Sequence, residues 1–85
     1  MKVTVHLGEP YWRSINAHEV GLMLRDGATV SDACNALTRL YPMLDSDLNH
    51  AEAQPVIFVD DAQANRSTPL IDGAKLYLLF PVSGG

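Results

Sequence analysis

Residues 26–42, DGATVSDACNALTRLYP, decide the fold because they contain the clearest helix signal in the chain. Thr29 has the chemistry of a helix N-cap, and Asp32 completes a variant of the capping box three residues later. The apolar positions that follow are spaced by three and four residues, which traces one stripe along a helix. They are Val30, Ala33, Cys34, Leu37, Leu40 and Tyr41. Since Pro42 cannot continue the hydrogen-bond ladder, the pattern predicts a helix over 30–41.

Two strands are predicted before this helix. Residues 2–7, KVTVHL, and residues 19–25, EVGLMLR, alternate between apolar and polar or small side chains, as half-buried strands do. Residues 8–18 contain Gly, Pro, Ser and Asn and are interpreted as a connection. The two strands are therefore expected to form a hairpin.

Two or three strands are predicted after the helix. Residues 43–54 are polar and irregular, with one short helical turn as an option. The segments 55–60, PVIFVD, and 74–80, AKLYLLF, have the β-branched and aromatic composition of strands. The sequence DDAQAN at 60–65 is interpreted as a turn, and 66–68 as a short fourth strand.

The order β-β-α-β-(β)-β predicts an α+β fold of the β-grasp kind. A single helix has to cover one face of a mixed sheet of four to five strands, because one helix can bury little else. We expect residues 1–80 to form this domain and residues 81–85 to form an extended, flexible tail. In the last strand Leu76, Leu78 and Phe80 are expected to face the helix, with Tyr77 and Leu79 on the opposite side.

Composition argues against several classes of function. The 85 residues carry a net charge of −4, and the six basic residues form no stripe, so nucleic acid and anionic membranes are not expected as partners. No apolar run approaches the roughly 20 residues that span a bilayer. The N-terminus alternates and lacks the apolar core of a secretory signal, so a cytoplasmic location is expected. With one cysteine, Cys34, no internal disulfide can form.

The residues that suggest catalysis or metal binding favour structural roles. Cys34 lies on the apolar stripe of the helix and is expected to be a buried, unreactive thiol. His6, His18 and His50 lack the spacing of metal ligands, so no metal site is predicted. Asp60 and Asp61 are interpreted as parts of a solvated turn.

Three stretches resemble the MoaD/ThiS family of ubiquitin-like sulfur carriers. They are DGATVSDACNAL at the helix entry, LYP at its end, and TPLIDGAKLYLLFPVSGG at 68–85. The resemblance covers nearly the whole chain and implies the β-grasp fold. It also implies a carrier, and not an enzyme, of which a MoaD-like small subunit of molybdopterin synthase is the preferred form.

The resemblance further implies what the tail does. The Gly85 carboxylate would be adenylated by a partner of the MoeB/ThiF type, which uses the ATP, so no cofactor is bound stably by the carrier. Sulfur would then replace AMP to leave a thiocarboxylate, which is delivered to an acceptor such as a molybdopterin synthase large subunit. Cysteine, thiamin and tRNA thiolation pathways, isopeptide modification of proteins through Gly85, and a plain binding domain remain alternatives.

The residues of the tail suit this chemistry. Gly84 and Gly85 have no side chains and can enter a slot that excludes larger residues. From Pro81 to Gly85 an extended chain reaches roughly 17 Å, at about 3.4 Å per residue. A free α-carboxylate is expected at Gly85.

A partner surface is expected beside the tail. Met23, Tyr77 and Leu79 would form an exposed apolar patch if their strands lie together, with Arg25 and Lys75 at its rim. The remaining residues expected to contact a partner follow directly along the chain; they are Phe80, Pro81, Val82 and Ser83. Tyr11 and Trp12 in the first connection would either cap the core or extend this surface.

Overall fold

Five strands and two α-helices make up the part of the chain that the structure, a computed structural model, describes: residues 1–50 and 54–81. In chain order they are β1 (Lys2–Leu7), α1 (Tyr11–Ile15), β2 (Glu19–Met23), α2 (Val30–Leu40), β3 (Val56–Val59), β4 (Ala62–Ala64) and β5 (Lys75–Leu79). A 3-10 turn at Pro42–Leu44 and a π turn at Ser46–His50 follow α2.

The strands form one mixed sheet in the order β2-β1-β5-β3-β4. β1 and β2 form the predicted antiparallel hairpin. β5 inserts between β1, to which it is parallel, and β3, to which it is antiparallel. The predicted α+β architecture of the β-grasp kind is confirmed, and the last strand of the sequence occupies the centre of the sheet.

The helix α2 begins at the predicted cap. The Thr29 hydroxyl accepts from the Asp32 amide at 3.4 Å, and the Asp32 carboxylate accepts from the Thr29 amide at 2.9 Å, which is a reciprocal capping box. The bond from the Thr29 backbone is the main reason that the pKa of Asp32 lies below its ordinary value. Ala33, Cys34 and Leu37 are buried against the sheet as predicted, whereas Leu40 is exposed. The buried stripe therefore ends one turn before the helix does.

The core lies between α2 and one face of the sheet. Val3 and Val5 of β1 and Leu76 and Leu78 of β5 are fully buried, and burying such a side chain stabilises the fold by about 1.5–3 kcal/mol. The other members come from the helices, the connections and the flanking strands. They are Leu7, Tyr11, Val20, Leu22, Val30, Ala33, Cys34, Leu37, Leu44, Leu48, Ile57, Leu70 and Ala74.

Two predicted connections contain more structure than the sequence pattern indicates. The 8–18 connection includes α1, whose first residue Tyr11 is buried in the core. The segment 43–54, predicted to be polar and irregular with one short helical turn as an option, contains most of two such turns. The π turn within it buries Leu48, and Leu44 in the preceding 3-10 turn is also buried. These leucines close the open end of the core, while residues 51–53 lie outside the described part of the chain.

The predicted fourth strand at 66–68 is wrong. The fourth strand is β4, which pairs with β3 from within the predicted turn at 60–65. Arg66 and Ser67 lie in a turn instead, where Arg66 donates a hydrogen bond to the Leu48 carbonyl. The residues of β4 have a low intrinsic preference for strands, and pairing with β3 outweighs that preference.

Neither described helix is long and apolar enough to cross a membrane, a statement that covers residues 1–50 and 54–81. Over the same residues, no three His, Cys, Asp or Glu side chains come together as a candidate metal site.

Candidate functional site

The candidate site is the outer face of the sheet, the face opposite α2, together with the tail root, residues 79–81. Alternation along β5 buries Leu76 and Leu78 on the helix side and directs Tyr77 and Leu79 to the outer face. The outer face therefore continues directly into the tail root.

Side chains from β3 and β5 form an apolar patch on the outer face. The strand register pairs Phe58 with Tyr77 and Val56 with Leu79, and directly opposed residues place their side chains on the same face. We call these four residues the outer patch. Leu79, at 38% exposure, is its most accessible member and lies next to the tail root.

The outer patch extends across β1 through a stacked ring pair. His6 lies beside Tyr77 with 4.6 Å between ring centroids and 16° between ring planes. On its other side the His6 Nδ1 atom lies 3.3 Å from a carboxylate oxygen of Glu19. The His6 Nε2 atom is buried, with no hydrogen-bond partner among the described residues. Stacking thus fixes the orientation of Tyr77 at the centre of the face.

The tail root packs on the connection after β1. The Gly8 amide donates to the Leu78 carbonyl at 3.0 Å, so the chain passes close to β5. A Cβ atom at Gly8 would lie 3.1 Å from the Cδ2 atom of Leu79. Because glycine has no Cβ atom, it leaves space at this position for the observed conformation of the Leu79 side chain.

Phe80 corrects one prediction about the last strand. Its side chain is 46% exposed and does not join the core, because β5 ends at Leu79 and the alternation stops there. Its ring instead lies 6.1 Å from that of Tyr11, tilted by 59°. Phe80 is thus available at the tail root, whereas Tyr11 caps the core.

Tyr11 brings a buried hydroxyl under the tail root. The residue is 1% exposed, and its hydroxyl has no hydrogen-bond partner among the described residues. Burial raises the pKa of Tyr11, and the negative charge of Asp47 raises it further. The hydroxyl is therefore neutral at physiological pH, in accord with a packing role.

Met23 does not lie with Tyr77 and Leu79. It pairs with Lys2, whereas Tyr77 pairs with His6, so Met23 and Leu79 lie at opposite ends of the sheet. Six strand residues separate the two levels, which is about 20 Å. The order β2-β1-β5 thus prevents the patch that these three residues were expected to form.

The predicted rim charges separate in the same way. Arg25 turns toward α2, where its guanidinium lies 3.5 Å from the Asp32 carboxylate. Lys75 lies on β5.

Trp12, which was expected either to cap the core or to extend the surface, lies on α1 and is partly buried. The Trp12 ring stacks on His18 at 4.1 Å, with the Arg13 guanidinium 5.1 Å from its centroid.

The predicted tail residues are described only at their start. Pro81 is half-buried at the tail root. Val82, Ser83, Gly84 and Gly85 lie outside the described residues, so the predictions for them are not tested by geometry.

Cys34 lies in the core, away from the tail root. It is fully buried, and burial raises the pKa of its thiol, although the positive charge of Arg66 partly opposes this. A neutral, enclosed thiol is a poor nucleophile. The described geometry therefore gives Cys34 a packing role.

Sequence comparison identifies the family. The profile of the ThiS family matches residues 12–85. The chain belongs to the ThiS family. The members of this family are small ubiquitin-like carrier proteins and are not catalysts by themselves. A search of curated sequences finds no match.

Solved structures agree with this ThiS assignment. A chain in the complex of subunits 1 and 2 of molybdopterin-converting factor from Helicobacter pylori 26695 is 27% identical, with a TM-score of 0.65 and 100% coverage of both chains. SAMP1 from Haloferax volcanii is 24% identical, with a TM-score of 0.86 and 100% coverage of both chains. A chain of the BexX/CysO complex from Amycolatopsis orientalis is 21% identical, with a TM-score of 0.75 over 98% of this chain and 99% of that one. The last two support the β-grasp fold alone.

The sequence interpretation missed three members of the candidate surface: His6, Val56 and Phe58. Period-2 alternation in KVTVHL already places His6 opposite the core residues Val5 and Leu7. The same alternation in PVIFVD separates Phe58 from the buried Ile57. What the pattern lacked was the strand order that brings His6 and Phe58 next to Tyr77 and Val56 next to Leu79.

Proposed function

We propose that this protein is a sulfur carrier whose Gly85 carboxylate is activated by a partner enzyme and converted to a thiocarboxylate. The observation that carries the proposal is the match to the ThiS family, which continues through the Gly-Gly tail to Gly85. The outer patch beside the tail root supports it, because it supplies an apolar surface on which a partner can dock. In this role the chain supplies the acyl group and the docking surface.

The chemistry requires three substitution steps, which begin at the Gly85 carboxylate. A carboxylate oxygen attacks the α-phosphorus of ATP held by the adenylating partner, and pyrophosphate leaves. A persulfide sulfur then attacks the acyl carbon, AMP leaves, and an acyl disulfide remains. A second thiol of the sulfur donor cleaves that disulfide, is oxidised to a disulfide in turn, and releases the thiocarboxylate. The described residues add no acid or base to these steps.

We further propose molybdopterin synthesis as the pathway, with this chain as the small synthase subunit. The support is the molybdopterin-converting factor complex, which matches this chain over its whole length at 27% identity. The acceptor would be a second, larger subunit that receives the tail. The reduced, buried Cys34 is compatible with work in the cytoplasm.

The partners are expected to contact the outer face and the tail. Tyr77 and Leu79 would dock first, while Phe80 and Pro81 guide the tail residues Val82, Ser83 and Gly84 into the partner. Met23 would contact a partner only if the interface extended along the whole sheet. Truncating one of the few central side chains that dominate an interface costs more than about 1 kcal/mol of binding energy, so Leu79→Asp should weaken docking more than about fivefold.

Intact-mass spectrometry of the protein from its native cell tests the chemistry. A gain equal to the mass difference between sulfur and oxygen, lost in a variant without Gly85, is expected of the carrier. Larger conjugates that end at a lysine would instead identify a protein modifier. If neither species appears, the carrier proposal is refuted.

Reconstitution with a purified adenylating enzyme and a molybdopterin synthase large subunit tests the pathway. Leu79→Asp should slow thiocarboxylate formation, and the matched variant Ile71→Asp should not, because Ile71 is 70% exposed in the turn before β5, at the opposite end of that strand from Leu79. Sulfur transfer to a cysteine, thiamin or tRNA pathway enzyme, with none to the large subunit, would refute the molybdopterin assignment and leave the carrier chemistry intact.

A further inference from the structure

Among residues 1–50 and 54–81, no strand pairs with the outer edge of β2, and the backbone groups along that edge are unpaired. β2 is the outermost strand on its side of the sheet. Along β1 the amides of Thr4 and Gly8 donate toward β5, so the odd-numbered residues of β1 bond to β2. Their partners in the register are Val20 and Leu22. By alternation, the N–H and C=O groups of Glu19, Gly21 and Met23 point away from the sheet, where a further strand could pair with them.

A groove runs along this edge between β2 and α2. One section of about 330 Å³ is lined by Gly21, Leu22, Met23, Ala36, Arg39 and Leu40. An adjoining section of about 260 Å³ shares Met23, Ala36 and Arg39 and continues to Asp32 at the start of α2. Met23 and Leu40 are 77% and 59% exposed, so the groove has accessible apolar walls. A strand added to β2 would place alternate side chains over these walls.

The groove is basic although the chain is acidic. Of its three charged side chains, Asp32 is held in the capping box and lies 3.5 Å from Arg25. The Arg39 guanidinium has no ion pair within residues 1–50 and 54–81. An unpaired guanidinium beside an open backbone edge favours a carboxylate on whatever occupies the groove.

We propose that the β2–α2 groove binds an extended segment of a partner protein, with alternating aliphatic residues and an adjacent acidic residue for Arg39. The segment would add to β2 as a sixth strand, with main-chain hydrogen bonds supplying affinity and the groove supplying specificity. A second copy of this chain fits less well, because it would bring another Arg39 to the same edge. This inference is independent of the carrier chemistry.

The groove and the tail root can be occupied together. Met23 lies at the end of the sheet about 20 Å from the level of Leu79. A protein held in the groove would leave both the outer patch and the tail free. The groove would thus keep a third protein attached while the tail enters an enzyme.

Nuclear magnetic resonance with a defined peptide tests this inference. The probe is a capped synthetic peptide of two aspartates followed by alternating valine and threonine, titrated into the full chain labelled with nitrogen-15. The amides of Glu19, Gly21 and Met23 should shift and become protected from hydrogen exchange, while those of Tyr77 and Leu79 should not. Backbone N-methylation of the peptide at alternate residues should abolish the effect.

Charge variants distinguish specific binding from nonspecific binding. Arg39→Gln should weaken binding of the acidic peptide by about two- to fivefold, as for an exposed ion pair, and Arg39→Glu should reverse the preference toward a peptide with lysines in place of the aspartates. Arg13→Gln, which removes a charge on α1 that pairs with Glu9, is the matched control and should change nothing.

Three outcomes would overturn the inference: no change at the β2 amides at millimolar peptide, equal binding of the acidic and basic peptides, or shifts confined to the outer face. Shifts at β2 that grow with protein concentration in the absence of peptide, together with a dimer in sedimentation equilibrium, would also overturn it, since they would show that a second copy occupies the edge.

Discussion

Leu78 and Leu79 are consecutive in β5 but face opposite sides of the sheet, and alanine at each position should separate folding from docking. Leu78 is fully buried in the core, whereas Leu79 is 38% exposed beside the tail root. Both changes remove the same atoms from the same strand. Differences between the two variants therefore report the environment of the side chain.

The expected magnitudes follow from burial. Leu78→Ala leaves a cavity under α2 and should lower the free energy of unfolding by about 2–5 kcal/mol. Leu79→Ala leaves no enclosed cavity, because water fills the space, and should cost about 1 kcal/mol or less. A domain of this length has a total stability of roughly 4–13 kcal/mol, so the first change removes a large part of it.

Urea denaturation followed by circular dichroism measures both values. With a slope of about 1 kcal/mol per molar urea, the midpoint should fall by about 2–5 M for Leu78→Ala and by about 1 M or less for Leu79→Ala. In a binding assay with the adenylating partner, Leu79→Ala should weaken the complex although the variant is folded. Under conditions in which Leu78→Ala is folded, it should bind almost normally.

Equal loss of stability in the two variants would refute the assignment of faces along β5. A fully stable Leu79→Ala that also binds the partner normally would refute the role of the outer patch while leaving the fold intact.

Three further predictions concern the helix cap, the thiol and the close approach at Gly8. Asp32→Asn should lower Tm at neutral pH, and the difference in Tm should shrink as the pH falls below 3.8, the ordinary pKa of an aspartate. The hydrogen bond from the Thr29 amide is the main reason that the pKa of Asp32 is lowered. A carboxylate with a lowered pKa stabilises the fold above its ordinary pKa and loses this contribution as it is protonated. A difference in Tm that does not change with pH would contradict this reasoning. Cys34 should react with a chromogenic disulfide reagent only after unfolding, since burial raises its pKa; rapid reaction of the folded protein would refute its burial. Gly8→Ala should move the Leu79 methyl resonances with little change in stability, because the contact at 3.1 Å is with the end of a flexible side chain; unchanged resonances would show that the approach is looser than described.

The sequence predicted the elements whose own pattern is strong. The capping residues Thr29 and Asp32 mark the start of α2 correctly, and alternation predicts β1 to the residue. α1 was missed because five residues without a side-chain cap carry little helix signal, and burial of Tyr11 holds them in place. β4, with the sequence AQA, is a strand because β3 lies beside it.

The candidate surface was only partly predictable, since it depends on strand order. Alternation alone assigns Tyr77, Leu79 and Met23 to the outer face. It does not show that β1 separates β2 from β5, or that register places Met23 at the far end. Phe80 was assigned to the core by continuing the alternation one residue beyond the end of β5. Long-range pairing decides each of these points, and no local pattern encodes it.

The central position of β5 has a consequence for how the protein is made. Without this strand the sheet falls into two separate hairpins, β2-β1 and β3-β4, which share no backbone hydrogen bonds. A nascent chain would expose apolar surface as long as its β5 segment is still inside the ribosome, and so would a product truncated before Lys75. Such chains would be targets for quality-control proteases. Only chains that include the strand leading into the tail can reach a durable folded state. Because Tyr77 and Leu79 lie on β5, copies truncated before Lys75 would lose half of the outer patch together with the tail.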